Sequence, residues 1–394
     1  MLFSMLKKVS FKGRIDIIDY KDRSHSFGTS TPYVKIKLKT KSVERKLFFN
    51  PSLYVGESYM NKELIIVEGT IEDFINIISA SYKNILSKHW VEKFSNTIST
   101  FLRTFQQLNY FKKSKKNVAH HYDLSDELYS LFLDKDMQYS CGYFHNDNIS
   151  LEQAQIDKKR HIIKKLAVEK NMSVLDIGCG WGGLSLQIAK DTGANVRGIT
   201  LSEKQLVIAR QRAEQEGLTD KVEFVLQDYR KEQQNYDRIV SVGMFEHVGI
   251  NFFSEFFSKT YNLLKENGIF LLHTIGHQGK ISATNPWMRK YIFPGGYIPA
   301  LSEILKECEK QRIIISDIEI LRLHYAQTLK YWYQNFIKNK KRIIEVFDER
   351  FFRMWEFYLL SSQYSFRNMG NVVFQIQISK NMNILPLTRN YIYN

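Results

Sequence analysis

Cysteine is scarce in this chain: 394 residues hold three, Cys141, Cys179 and Cys308. An odd number at such wide separations builds neither a disulfide framework nor a zinc site, and it points to a reducing compartment. Long apolar runs are missing as well. No window approaches the roughly 18 successive apolar residues that a membrane-spanning helix needs. The start, Met1-Leu2-Phe3-Ser4-Met5-Leu6, is too short an apolar run for a signal peptide and lacks a small-residue cleavage pattern. A cytoplasmic protein is expected, one that visits a membrane only at its surface. Internal repeats and low-complexity tracts are absent too, which excludes a solenoid and a long disordered arm.

What is present is ample for packed cores: 44% of the residues are hydrophobic and 14% aromatic. The length calls for two domains. The formal charge of +15 is uneven, because residues 1–116 hold 21 Lys/Arg against 10 Asp/Glu and so carry +11 of it. A basic surface of this kind attracts nucleic acid or anionic lipid headgroups through the same long-range field. A general Lys, Ile and Asn bias in composition would also produce it.

From Lys12 to Ile66 the pattern is mostly period two, as in Tyr33-Val34-Lys35-Ile36-Lys37-Leu38, and predicts a small β-rich unit interrupted at Gly56-Glu57-Ser58-Tyr59-Met60. Helical spacing follows from Ile71 to about Tyr110, with Thr70 as N-cap. The Lys112-Lys113-Ser114-Lys115-Lys116 cluster reads as a solvated linker. A helical lead-in covers 118–170, opened by a cap at Asp123 or Ser125, broken by the aromatic stretch 137–144, and ending in a helix from about Leu151 to Val168. Strands are then expected near 173–178, 195–200, 221–226, 237–243, 268–274, 314–322 and 371–379, with a long aromatic helical stretch between the last two. This alternation predicts an α/β fold with a doubly wound, Rossmann-like sheet of seven strands and right-handed crossovers.

The organising stretch is Val174-Leu175-Asp176-Ile177-Gly178-Cys179-Gly180-Trp181-Gly182-Gly183, where an apolar strand turns through glycines into a helix. In an open α/β sheet such a turn lies at the ligand crevice. Gly178, Gly180 and Gly183 satisfy the dinucleotide spacing, while Asp176, Gly178, Gly180 and Gly182 satisfy the D-x-G-x-G-x-G spacing of S-adenosylmethionine methyltransferases. A nicotinamide enzyme wants an acid at the end of the second strand, as do many methyltransferases. Here Thr200, Ser202 and Gln205 stand instead and must supply neutral hydrogen bonds. Gln227-Asp228-Tyr229 after the third strand offers an amide, an acid and an aromatic face for an adenine, and moves the balance to the methyl donor.

Together with these, His121-Tyr122-Asp123, Gln138-Tyr139-Ser140-Cys141, Ser241-Val242-Gly243-Met244-Phe245-Glu246-His247-Val248-Gly249, His273-Thr274-Ile275-Gly276 and Tyr291-Ile292-Phe293-Pro294-Gly295-Gly296 resemble the cyclopropane-fatty-acyl-phospholipid synthase family. The ordered match runs from about 117 to 380. It implies a methyltransferase domain at 113–394 and a smaller N-terminal α+β accessory domain at 1–112 that docks on lipid. It further implies methyl transfer from S-adenosylmethionine to a cis double bond of a membrane phospholipid, then proton loss and ring closure with bicarbonate as base. Tyr139, Ser140, Trp181, Leu201 and Val242 join the cofactor residues, and the anion site carries over to Cys141, Glu246, His273, Ile275 by its backbone, and Tyr325. A homodimer at the inner face of the membrane, with no nucleic-acid partner, completes what the resemblance implies.

These residue types suit that chemistry. An alkene is a poor nucleophile, so alignment and exclusion of water must supply much of the rate, and aromatic faces such as those of Tyr139, Tyr143, Phe245, Tyr291 and Trp332 stabilise positive charge. Three other readings stand beside this one: a relative that leaves a methyl- or methylene-branched chain, a catalytically silent lipid binder, and a nucleic-acid methyltransferase. The last wants an N/D-P-P-Y-like motif where Met244-Phe245-Glu246-His247 stands.

Overall fold

The computed structural model describes residues 1–89 and 126–393. The lysine cluster at 112–116, the caps expected at Asp123 or Ser125, and the helix expected over 90–110 lie outside the described residues. The chain divides into two compact units, one of 1–105, 281–294 and 329–371, the other of 106–280, 295–328 and 372–394.

The first unit holds a four-stranded sheet in the order β2-β1-β3-β4, made of β1 (Arg14–Ile18), β2 (Ser24–Phe27), β3 (Tyr33–Leu38) and β4 (Leu64–Glu68). The period-two reading holds within the strands: Val34, Ile36 and Leu38 are buried while Tyr33, Lys35 and Lys37 are less so. It fails between them, where helices Lys41–Phe49 and Pro51–Met60 take up the stretch read as β-rich, Gly56 to Met60 included. The physical signals are local. Thr40 caps the first helix by accepting from Val43 N, Asn50 caps the second by accepting from Leu53 N with Pro51 at its first turn, and Val43, Leu47 and Phe48 fall on one helical face. Thr70 is the N-cap expected: its hydroxyl accepts from Asp73 N at 3.0 Å, and the Asp73 carboxylate accepts from Thr70 N at 3.0 Å. The core of this unit also takes in Leu360 and Tyr364 of helix Glu349–Asn368.

The second unit is a seven-stranded sheet in the order β10-β11-β9-β8-β5-β6-β7: β5 (Ser173–Ile177), β6 (Asn195–Thr200), β7 (Val222–Leu226), β8 (Tyr236–Val242), β9 (Leu264–His277), β10 (Ile314–Leu321) and β11 (Asn371–Ser379). β7, β6, β5, β8 and β9 pair in parallel, and β11 runs antiparallel to β10. Successive residues feed opposite faces: Leu175, Ile239, Phe270 and Leu272 enter one core, and Val174, Val240, Ile269 and Leu271 the other. β9 is longer than the 268–274 expected, because Leu264 pairs with Tyr236 ahead of an irregularity and His277 N donates to Pro299 O at 2.9 Å. The chain leaves β5 for β6 on one side and returns to β8 on the other. The carboxyl end of β5 is therefore the topological switch point, where such sheets bind ligands.

Candidate active site

β5 delivers Asp176 and then the glycine turn to that switch point. Gly178, Gly180 and Gly182 have φ of +82°, +56° and +84°, a region that L side chains adopt at a cost. Beyond its chain neighbours, a Cβ on Gly180 would meet none of the described residues within 4 Å, so this glycine leaves open space at the turn. Gly183, the first residue of helix Gly183–Thr192, is constrained differently. A Cβ there would come within 2.4 Å of Gln138 Nε2 and 2.6 Å of Asp136 Oδ2, so the segment 136–138 lies directly on the helix start.

Above the turn opens a cavity of about 1220 Å³, counting its mouth. Its wall holds Tyr139, Ser140, Asp176, Gly178, Gly180 and Trp181, together with Thr200, Leu201, Gln205, Gln227, Asp228, Tyr229 and Val242. Of the expected cofactor residues, Gly182 and Ser202 are not in the wall. Gly182 caps the helix at 183, and Ser202 caps the next one, its hydroxyl accepting from Gln205 N at 3.3 Å. Thr200 Oγ1 donates to Gln205 Oε1 at 3.0 Å, a neutral pair where an acid is missing. Asp228 is chelated by Arg230 through Nε and Nη2 at 2.8 and 2.7 Å. Asp176 accepts from Ser185 Oγ at 2.7 Å, yet burial lifts its carboxyl to about 6.

The expected anion residues lie outside this wall, in the buried structure next to it. Glu246 sits in the turn after β8 between Phe245 and His247, of which His247 reaches the cavity. Its Oε1 accepts from Ile275 N at 2.6 Å, its Oε2 has no hydrogen-bond partner among the described residues, and burial raises the acid to about 7. His273, on β9, is fully enclosed and burial holds it down to about 3, so the ring is neutral. Gln375 Nε2 lies 3.1 Å from His273 Nδ1, a pairing that fixes the orientation of the ring. Burial pushes the Cys141 thiol far up, so it is no thiolate nucleophile. Gly142 N donates to Thr328 Oγ1 at 3.0 Å, tying the Cys141 segment to helix His324–Lys338, which carries the buried Tyr325 in its first turn. Of the aromatic candidates, Tyr139 lines the cavity. Phe245 stacks on Phe253 at 4.3 Å, Tyr143 on His161 at 4.2 Å, and Tyr291 and Trp332 belong to the first compact unit.

Lys158 also lines the cavity, and the sequence reading passed over it. It projects from helix Leu151–Leu166 and is 1% exposed, its Nζ donating to Gln138 Oε1 at 2.5 Å and Ser140 Oγ at 2.8 Å. A turn away Gln155 Nε2 donates to Ser140 O at 2.9 Å, and Lys159 Nζ to Asp136 Oδ2 at 2.5 Å. One helix face thus pins 136–140 over the glycine turn. The signal was there to find: Leu151, Lys158 and Lys165 share a helical stripe with Ala154 and Ile162, and two lysines in an apolar stripe need a buried reason.

Comparison with known proteins agrees with this geometry. Residues 109–376 match the mycolic acid cyclopropane synthetase family, and residues 2–89 match a domain family of unknown function. The chain is 36% identical over 351 residues to the cyclopropane-fatty-acyl-phospholipid synthase of Escherichia coli strain K12, covering 88% of this chain and 87% of that one. Among solved structures it resembles the cyclopropane synthase MmaA2 from Mycobacterium tuberculosis, with TM-score 0.65 and 30% identity over 69% of this chain and 99% of that one. It also resembles the mycolic acid cyclopropane synthase CmaA1 complexed with SAH and CTAB, with TM-score 0.63 and 31% identity over 67% and 97%. The cavity residues fit the methyl donor: a glycine that leaves room, neutral hydrogen-bonding groups, an amide-acid-aromatic loop and a buried cation. The chain belongs to the mycolic acid cyclopropane synthetase family and is an S-adenosylmethionine-dependent methyltransferase of lipid acyl chains, of the cyclopropane-fatty-acyl-phospholipid synthase class.

Proposed function

We propose that the chain converts a cis double bond in the acyl chain of a membrane phospholipid into a cyclopropane, with bicarbonate as the base. The observation that carries this is Glu246: a buried acid with one oxygen held by Ile275 N and the other unpartnered among the described residues, one residue from the cavity wall. An unpartnered buried oxygen costs roughly 1–3 kcal/mol, and a small protonated anion bound beside it would remove that cost. With the carboxyl raised to about 7 it exchanges a proton readily near neutral pH, as a relay to such an anion requires. Neutral His273, with Gln375 against its Nδ1, offers a donor for such an anion, and the resemblance adds Cys141, Ile275 by its backbone and Tyr325 to the set. Bound S-adenosylmethionine supplies an electrophilic methyl group. The residues around it align the acyl chain, exclude water and take the proton away.

The basic segment 1–116 gives the protein a way onto anionic headgroups. Among the described residues no helix is long and apolar enough to cross a membrane. Peripheral binding from the cytoplasmic side, as a homodimer that doubles the headgroup contacts, completes the proposal. The test is labelled methyl transfer to vesicles of unsaturated phospholipid, in bicarbonate-depleted buffer and after bicarbonate is restored. Turnover that needs bicarbonate and is lost in Glu246→Gln and His273→Ala, with cofactor affinity kept, supports the reading. Wild-type turnover in either variant overturns the base assembly.

A further inference from the structure

The geometry points to Lys158 as the receptor for the carboxylate at the amino-acid end of the methyl donor. This rests on the reading of the cavity as the donor site and adds to it the donor's orientation.

Lys158 is buried in the cavity wall, and both of its acceptors, the Gln138 amide oxygen and the Ser140 hydroxyl, are neutral. The third N–H of its ammonium has no acceptor among the described residues. The carboxylates whose charge reaches it have other hydrogen-bond partners, Asp176 taking the Ser185 hydroxyl. Asp136 takes Lys159 and Arg212, and the two oxygens of Asp134 take the backbone N–H groups of Gln138 and Asp136 at 2.9 and 3.0 Å. Adjacent lysines are thus treated differently: Lys159 has an ion pair, and Lys158 has none among the described residues. Burying an ammonium without a direct ion pair is costly, and here burial draws its pKa down to about 8, against the pull of Asp134 and Asp136. A cation kept at that cost beside an open cavity is positioned for an anion that arrives with a ligand.

The methyl donor has one anionic group. Its sulfonium and amino groups are cationic and its adenosine is neutral, so only the carboxylate can pair with Lys158. Gln227 to Tyr229 line the same cavity and are the candidates for the adenine. With the carboxylate held by Lys158, the donor has one orientation in the cavity. Gln138 and Ser140 serve as the hinge of this contact, since the acceptors that hold the ammonium are themselves in the wall.

The test is calorimetric binding of S-adenosylhomocysteine and of its decarboxylated analogue, which keeps the amine, to the full chain and to Lys158→Met and Lys158→Arg. The expected result is a wild type that prefers the carboxylate by roughly 10- to 100-fold, the range of a charged hydrogen-bonded contact. Lys158→Met should bind both ligands equally, and Lys158→Arg should recover part of the preference. The ratio of the two affinities is indifferent to a general loosening of the site, which lowers both. A wild type that binds both ligands equally, or a preference unchanged in Lys158→Met, overturns the assignment. If the preference stays and the bicarbonate requirement of turnover shifts instead, the lysine serves the other anion and the assignment also falls. Failure of wild type to bind either ligand would refute the cavity as the donor site.

Discussion

Replacing Glu246 by Gln removes a buried charge while keeping an oxygen for the Ile275 N–H, so its effect on stability must depend on pH. In the folded chain burial raises the Glu246 acid from 4.5 to about 7, so the native state holds the proton more tightly than the unfolded chain does. The stability this gives is fully present below about pH 4.5 and is lost as pH rises through about 7. The difference corresponds to about 3 kcal/mol, less about 1 kcal/mol for the amide N–H groups that find no partner. Glu246→Gln should therefore melt at or slightly below the wild-type temperature near about pH 5, and roughly 4 °C above it near about pH 9. The assay is thermal denaturation of both proteins across that range in bicarbonate-free buffer. The same variant should lose methyl transfer at every pH, so at high pH stability and activity move in opposite directions. A melting difference that does not vary with pH, or a variant less stable at high pH, would refute the argument that Glu246 is a desolvated acid.

Other positions give independent checks. Gly183→Ala drives a Cβ into Gln138 and Asp136, so S-adenosylhomocysteine affinity should drop at least about 10-fold in calorimetry while far-UV circular dichroism is retained. Gln375→Leu removes the partner of His273 Nδ1; kcat should fall by roughly 10-fold or more with cofactor affinity unchanged, and equal kcat would show that the ring needs no orienting amide. Thr70→Ala breaks the capping box in the first unit and should cost about 1 kcal/mol in chemical denaturation without touching methyl transfer to detergent-solubilised lipid. Vesicle sedimentation should weaken as salt rises, because exposed charge is screened, and binding that ignores salt would count against the role given to the basic segment.

The sheet was legible because strands buried on both faces read as short apolar runs between helices, and the seven expected positions match the observed ones closely. The glycine turn was legible because its conformation demands glycine. Helices 41–49 and 51–60 were not read, since the alternation in β3 was extended past caps at Thr40 and Asn50 that should have ended it. Lys158 escaped for a different reason. Its meaning depends on a loop that reaches it through the fold, with Gln138 and Ser140 some 20 residues earlier, and on the lack of a direct ion pair among the described residues, which spacing cannot reveal. Cys141, Glu246, His273, Ile275 and Tyr325 came from resemblance alone. The structure joins Glu246 to Ile275 directly and ties the Cys141 segment to the helix of Tyr325 through Thr328.

The most direct test of the account is mass spectrometry of unsaturated phospholipid incubated with the purified chain and S-adenosylmethionine carrying a deuterated methyl group. The account predicts acyl chains that gain one carbon with two of the three deuterons and lose reactivity at the double bond, in wild type and not in Glu246→Gln. Retention of all three deuterons, or a product that still carries a double bond, would contradict ring closure through proton loss at this site.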